Sequence, residues 1–501
     1  MRQLTIYFTS DTHGFLYNTG FVDASPQPMG LLGMRFPKDG NTLIIDGGDT
    51  IQGSPLTYFC HDTGEPLPVA PAMNARGYDY VTLGNHDFNY GPAWLRDYLT
   101  RLNAVCLCAN VADEAHGLSI LPHTVHTLEN GLRVGLIGLV TSWINLWEKQ
   151  ENLSGLTISD PLAAARRSWQ ALRGQYDVLV GIYHGGLERN LETGALLSSS
   201  DENIGCRLCE EIPFDLLLTG HQHIAMENRS WHGTHIVQPP CNATSYICVE
   251  MDDQRRFTSR LCPVPADHVL TEAETILREK MDRWLDTPIG HLPRDLWPAG
   301  KLEMALHGSP IADFFNQVQL WATGADISCT SLPNELRGFS RSVTVRDVVA
   351  SYVYANTLIT LRVTGRVLRQ ALEQCARYFD VHPDGTVGIA APFLQPKEAH
   401  FNYDYFAGIA YTFDLSRPAG ERVTRLEREG RPICDTEEFT LCLSNYRATG
   451  AGDFDCYLPC PRLREGQTEV RDLLLDYIRL HPDIQLSPGP AFTVQRGDEV
   501  L

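Results

Sequence analysis

At 501 residues the chain exceeds what one ordinary hydrophobic core supports, so two domains, or three, are expected. A composition of 43% hydrophobic and 20% charged residues excludes a disordered chain. The net charge of -20 works against binding long nucleic acid, whose backbone phosphates are neutralised by Lys and Arg.

The chain opens MRQLTIYFTSDTHG, running straight into a strand and a polar motif, with no stretch shaped like a signal peptide, so a cytoplasmic location is expected. No apolar run approaches the roughly 18 residues of a membrane span. The cysteines are scattered, and Cys106, Cys108, Cys248 and Cys442 sit in apolar strand-like runs. Reduced, buried thiols are expected there rather than a disulfide framework.

Up to about Pro265, apolar strand-like runs alternate with helix-compatible segments. The runs are LTIYFTS, NTLIIDGGD, YDYVTLG, LRVGLIGLV, YDVLVGIYHGG, FDLLLTGHQH and THIVQPP, and residues 160–176 read as a helix between two of them. This is the pattern of a layered α/β domain over residues 1–265. Residues 271–286 begin at a Thr suited to an N-cap, carry acidic residues in the first turn and space their apolar residues as a helix does. They read as an interdomain helix within a linker and hinge, 266–300, whose Pro and Gly residues separate the halves. In the second domain, 301–501, helices are expected at 311–323, 345–350, 366–378 and about 470–480. Strands are expected there at 325–329, 357–364, 409–415 and 439–443.

Polar residues collect where the strand-like runs end. Asp11 and His13 follow the first run, Asp49 the second, Asn85 the third, His184 the fifth, and His221 and His223 the sixth. Ligands at the carboxyl ends of strands are where an open α/β sheet places its site. Asn85 offers a metal a neutral oxygen, and His86, pointing elsewhere, is placed to donate a proton to a reacting group. Seven ligands serve two four-coordinate cations if one carboxylate bridges, and Asp49, alone in its loop 48–53, is the natural bridge. Carboxylate, amide and imidazole together suit manganese, zinc, cobalt or iron better than calcium. Two dications against two carboxylates leave a charge of about +2, enough to acidify water and attract phosphate.

The order D-x-H, GD-x-x-x-G, GNH[DE], a strand-end His and GH-x-H resembles, without a gap, the signature of calcineurin-like metallophosphoesterases. That resemblance implies one metal on Asp11, His13, Asp49 and His223, a second on Asp49, Asn85, His184 and His221, and His86 facing the leaving oxygen. Over nearly the whole chain the sequence resembles the two-domain family of 5'-nucleotidases and 2',3'-cyclic-nucleotide phosphodiesterases. The resemblance implies a four-layer α/β/β/α domain, then a mixed α/β domain whose two aromatic rings sandwich the nucleobase. Phe401 in HFNYDYFAG and Tyr446 in SNYRATGAGDF match those rings, with Tyr403 in reserve and Asp453 beside them in the substrate-binding set. Stacking on both faces of a base binds it without selecting among bases.

Departures from the 5'-nucleotidase branch bear on the substrate. Asn89 stands where that branch pairs an Asp with the catalytic His, which leaves Asp87, adjacent in sequence, as the substitute partner of His86 and the second candidate catalytic residue. Residues 327–335, ISCTSLPNE, lack that branch's glycine-rich loop. Both departures, with NYDYFAG and NYRA, resemble the cyclic phosphodiesterase and 3'-nucleotidase branch. The expected activity is therefore 2',3'-cyclic-nucleotide 2'-phosphodiesterase and 3'-nucleotidase. The alternatives are a 5'-nucleotidase or UDP-sugar hydrolase, then phosphoprotein or DNA-end substrates, and lastly a non-catalytic nucleotide sensor. A small nucleotide is the expected partner, with no nucleic acid polymer and no membrane.

Overall fold

The computed structural model describes residues 2–19, 26–113, 115, 117–197, 201–354, 356–395, 398–489 and 492–501. The chain divides into two compact units, Met1–Ile276 and Leu277–Leu501, and the division falls inside the helix Glu272–Leu285.

The first unit is built on two sheets. Strand Arg2–Thr9 pairs in parallel with Thr42–Asp46, and the parallel run continues through Tyr80–Val81, Val105–Leu107 and Ile120–Leu121. On its other side it takes the antiparallel strands Ser245–Asp252 and Phe257–Pro263, making seven strands. The second sheet has four parallel central strands, Arg133–Val140, Val178–His184, Leu216–Thr219 and Thr234–Gln238. Antiparallel edges, His123–Thr127 and Met226–Trp231, bring it to six.

Parallel strands covered on both faces must be apolar on both, which is why these segments read as unbroken hydrophobic runs. Ile6, Phe8, Leu43 and Ile45 of the first sheet share one core with Leu136, Val180, Ile182, Leu216 and Leu218 of the second, so the sheets stack face to face. The outer face of the second sheet, including Ile137, Leu139, Leu179 and Leu217, packs on Ala164, Ala165 and Leu172 of helix Pro161–Leu172 and on Leu208 of helix Gly205–Glu211. Helices Pro55–Thr63, Val69–Ala75 and Gly91–Arg101 connect strands of the first sheet. The domain is a four-layer α/β/β/α sandwich. Helix Pro161–Leu172 starts where expected because the Asp160 side chain accepts from the Ala163 N–H at 2.6 Å.

The second unit is mixed α/β. One five-stranded sheet runs in the order Asp404–Ala407, Ile327–Ser331, Glu438–Ser444, Thr357–Thr364, Arg462–Glu469, and a second is built around Ala410–Asp414, Val423–Arg428 and Phe492–Arg496. Helices Pro310–Thr323, Val345–Ser351, Gly365–Ala376 and Val470–Leu480 lie within two residues of the expected bounds, as do the strands Ile327–Ser331, Thr357–Thr364, Ala410–Asp414 and Glu438–Ser444. Strands Val423–Arg428 and Arg462–Glu469 are not legible in the sequence, because their charged residues mask the period-two pattern of a half-exposed strand, and Asp404–Ala407, four residues long, is too short to show a period. Among the described residues no helix is long and apolar enough to cross a membrane.

Candidate metal centre

The seven candidate ligands leave strands of both sheets at their carboxyl ends. Asp11 and His13 follow strand Arg2–Thr9, Asp49 follows Thr42–Asp46, and Asn85 opens a short helical turn, Asn85–Phe88, after Tyr80–Val81. His184 is the last residue of Val178–His184, and His221 and His223 follow Leu216–Thr219. Five of the seven, Asp11, His13, Asp49, His221 and His223, hold left-handed backbone with φ between 49° and 71°. Each such residue costs on the order of 1–3 kcal/mol unless its surroundings enforce it, and that cost is tolerated where geometry serves function.

The side chains converge. The ligand atoms of Asp11, His13 and His223 lie within 4.8 Å of one another, as do those of Asp11, Asp49 and His184. Asp11 therefore belongs to both groups, beside Asp49, which the sequence marked as the bridge. His223 Nε2 is 3.2 Å from Asp11 Oδ1 and 3.2 Å from His13 Nε2. His184 Nε2 is 3.2 Å from both Asp49 Oδ2 and Asn85 Oδ1, and His221 Nδ1 is 2.9 Å from Asn85 Oδ1.

These atoms suit a cation better than they suit one another. His184 Nδ1 lies 2.7 Å from the Gly47 carbonyl and His13 Nδ1 lies 2.9 Å from the Gln52 carbonyl. A carbonyl only accepts, so both rings carry their hydrogen on Nδ1 and, when neutral, turn an Nε2 lone pair into the cluster. Asp49 Oδ2 is buried, with His184 Nε2 3.2 Å away. With the ring neutral, a lone pair would face that carboxylate oxygen; a proton on Nε2, or a divalent cation in its place, resolves the arrangement. The electrostatics agree. Burial opposes ionisation of Asp11, but the His184 and His223 rings hold its carboxyl well below the usual range. Asp49 is likewise held low against burial, by His184 and His86. Burial also opposes charge on His184, yet Asp49 and Asp11 push it up to about 9. His13, where burial dominates, falls to about 4. A cluster that raises imidazole basicity binds cations through the same field, in competition with protons.

His86 sits at the rim, its ring centroid 5.4 Å from that of His13, with its backbone N–H donating to Asp49 Oδ1 at 2.7 Å. Its Nδ1 lies 2.8 Å from Asn89 Oδ1, so Asn89 orients the ring. Asp87, expected as the substitute partner of His86, does something else. It accepts from the backbone N–H groups of Gly84, Asp49, Thr50 and Ile51 at 2.8–3.0 Å and is buried. Adjacent side chains on a tight turn point apart, so Asp87 pins the two loops together and is not the group that orients the His86 ring.

Three contributors carried no sequence signal. Glu202 Oε1 lies 3.0 Å from His221 Nε2, the Trp147 ring stacks on His221 at 5.6 Å and 19°, and Glu148 accepts from the Asn89 amide. Each lies at least 19 residues from its partner, in segments with no motif of their own.

In the second unit, Arg447 ties the two aromatic stretches together. Its Nη2 donates to the Phe401 carbonyl at 2.8 Å, its guanidinium pairs with buried Asp404 at 2.9 Å, and its neighbour in sequence is Tyr446. Phe401 and Tyr446 are both half-buried. Tyr403 is not a candidate for stacking: it is 2% exposed and its hydroxyl donates to the Ala305 carbonyl at 3.1 Å, which makes it a core residue. Asp453 is exposed on a left-handed turn with φ 67°.

A two-sheet sandwich that gathers Asp, His and Asn at its strand ends defines a metal-dependent phosphoester hydrolase. Residues 4–225 match the model of the calcineurin-like phosphoesterase family, and residues 288–458 that of the 5'-nucleotidase C-terminal domain. The chain is similar to a solved Staphylococcus aureus protein assigned provisionally as a 5'-nucleotidase, 33% identical, with a TM-score of 0.87 over 98% of this chain and 100% of that one. It is 23% identical to a 2',3'-cyclic-nucleotide 2'-phosphodiesterase/3'-nucleotidase of Haemophilus influenzae over 97% of this chain and 86% of that protein. It is 24% identical to a trifunctional nucleotide phosphoesterase of Bacillus subtilis over 95% of this chain, and spans only 38% of that longer protein. The chain belongs to the family that joins a calcineurin-like metallophosphoesterase domain to a 5'-nucleotidase C-terminal domain, whose members use divalent metals.

Proposed function

We propose that the protein hydrolyses 2',3'-cyclic nucleotides to 3'-monophosphates and then dephosphorylates these, using two divalent cations. Asp11, His13, Asp49 and His223 would hold one cation, and Asp49, Asn85, His184 and His221 the other, with manganese, zinc, cobalt or iron suited to the donors. When bound, such a pair supplies charge to polarise the phosphoryl oxygens and lower the pKa of water.

The protein's own groups do the rest. His86, with Nδ1 committed to Asn89, presents Nε2 to the departing ribose oxygen and supplies its proton. Asp49 fixes the His86 backbone through the 2.7 Å hydrogen bond, so cluster and acid move as one piece. Phe401 and Tyr446 would stack on the base, and Arg447 keeps their loops in register.

The observation that carries hydrolysis is this arrangement of His86 beside the Asp/His cluster. The choice of substrate rests on Asn89, on the absence of a glycine run at 327–335, and on the likeness to the Haemophilus protein. A second reading, 5'-nucleotidase or UDP-sugar hydrolase, is favoured by the likeness to the Staphylococcus protein at 33% identity. A panel of 2',3'-cyclic AMP, 3'-AMP, 5'-AMP and UDP-glucose on the manganese-loaded protein, read by phosphate and nucleoside release, decides between them. Preference for the first two supports the proposal; preference for 5'-AMP or UDP-glucose selects the second reading. Turnover of any of them that survives exhaustive chelation would remove the metal from the chemistry.

A further inference from the structure

The geometry points to Glu148 as a positioning residue for His86, acting through the Asn89 amide; the inference rests on the hydrolytic reading above. Asn89 Oδ1 lies 2.8 Å from His86 Nδ1, and Asn89 Nδ2 lies 2.5 Å from Glu148 Oε2. The Glu148 carboxylate is itself fixed, since its Oε1 accepts from the Lys149 N–H and from Asn152 Nδ2, both at 2.8 Å. Asn152 Nδ2 also donates to the Asn89 carbonyl at 2.8 Å, closing a small network around the amide. The preceding residue, Trp147, stacks on His221, so one short segment supports both the cluster and the acid.

An isolated Asn amide has no preferred side, because its oxygen and its NH2 are nearly the same size. A carboxylate removes that freedom. It only accepts, so the Asn89 NH2 must face Glu148 and the amide oxygen must face His86, which in turn must carry a hydrogen on Nδ1. A ring held this way tolerates hydrogens on both nitrogens. As the P–O bond to ribose breaks with its electron pair on oxygen, the Nε2–H bond breaks and its proton joins that oxygen. The imidazole is left neutral with Nδ1–H in place, water supplies the new P–O bond and loses its proton to solvent, and solvent reprotonates Nε2. With the amide reversed, Nδ1 would have to be bare, and loss of the Nε2 proton would leave an imidazolate. Glu148 thus does across an amide what a carboxylate placed directly on Nδ1 would do.

The test uses the full-length, manganese-loaded protein and two phosphate esters, the nucleotide it turns over best and a p-nitrophenyl ester, whose phenolate leaves without a proton. Glu148→Gln is expected to lower kcat on the nucleotide by about 10- to 100-fold with KM within about twofold, and to lower turnover of the p-nitrophenyl ester by less than about threefold. Asn89→Asp alone places two carboxylates against each other and is expected to lose activity. Asn89→Asp with Glu148→Gln rebuilds a direct carboxylate on Nδ1 and should recover most of the nucleotide rate. Independently of turnover, 15N NMR of the His86 ring should report hydrogen on Nδ1 in the unaltered protein and its loss from Nδ1 in Glu148→Gln. Equal losses on both esters, no rescue in the double variant, or an unchanged His86 tautomer would each overturn the inference. A protein that hydrolyses neither ester but shows the tautomer change would instead sink the hydrolytic reading and leave the positioning role standing.

Discussion

Two buried aspartates behind the ligands illustrate how much of this site is support. Asp87 satisfies backbone N–H groups of four residues drawn from two loops, so its removal strands several buried donors at once. Asp87→Ala should cost on the order of 3 kcal/mol in urea denaturation and weaken manganese binding as the loops separate. A catalytic role would instead give a folded, metal-binding protein with low kcat. Asp46 accepts from Thr9 and Thr50 hydroxyls at 2.6 Å and from the Gly48 N–H at 3.0 Å, yet burial raises its carboxyl to about 7. A raised folded pKa means that the native state binds a proton the unfolded chain has released, so stability falls as pH climbs from about 4 to about 7. Asp46→Asn removes that term. Compared by denaturation at about pH 5 and about pH 8, the variant should gain stability relative to the parent at the higher pH. A difference independent of pH would show that Asp46 does not titrate in this window.

At the scale of elements, the ligand loops are packed backbone against backbone. A Cβ on Gly84 would lie 2.1 Å from Asp49 Oδ1 and 2.2 Å from Asp49 N, and one on Gly48, where φ is 89°, would lie 2.3 Å from Gly84 N. The loops after strands Thr42–Asp46 and Tyr80–Val81 can therefore meet only through glycine. Gly84→Ala should push Asp49 aside and weaken manganese affinity by about 10- to 100-fold while circular dichroism stays native, since the sheets do not depend on that contact. Unchanged affinity in a titration would mean that the loop relaxes freely. The strands that deliver these loops were legible in the sequence because parallel, doubly covered strands announce themselves as apolar runs. The edge strand Asp404–Ala407 was not, because its place is set by pairing with Ile327–Ser331, some 75 residues away in sequence, rather than by any local period.

For the molecule as a whole, the proposed function assigns chemistry and recognition to different units, the Asp/His cluster lying in Met1–Ile276 and the aromatic stretches in Leu277–Leu501. That division makes a kinetic prediction. Phe401→Ala and Tyr446→Ala should each raise KM for the preferred nucleotide by roughly 5- to 150-fold, the cost of about 1–3 kcal/mol per stacked base. Turnover of a p-nitrophenyl ester, which has no base to stack, should be unaffected. Equal losses on both substrates would mean that these rings stabilise the fold rather than bind a base. Tyr403→Phe serves as the control: it removes the bond to Ala305 and should lower stability without moving KM.

The layered α/β architecture and the seven ligand candidates are legible along the chain, because both are written in local patterns: apolar runs of strand length and polar residues at fixed offsets beyond them. The sequence also marked His86, through its place one residue past Asn85. It could not say what orients that histidine, because the answer, Asn89 held by Glu148, joins segments 59 residues apart. Nor could it separate Asp87, turned into the loops, from a catalytic partner, or Tyr403, sunk in the core, from a stacking ring. Those outcomes depend on the direction in which a side chain leaves a turn and on what the rest of the chain places against it. They are settled in the folded chain, because burial and hydrogen bonding are properties of the packed assembly and not of a residue or its neighbours in sequence.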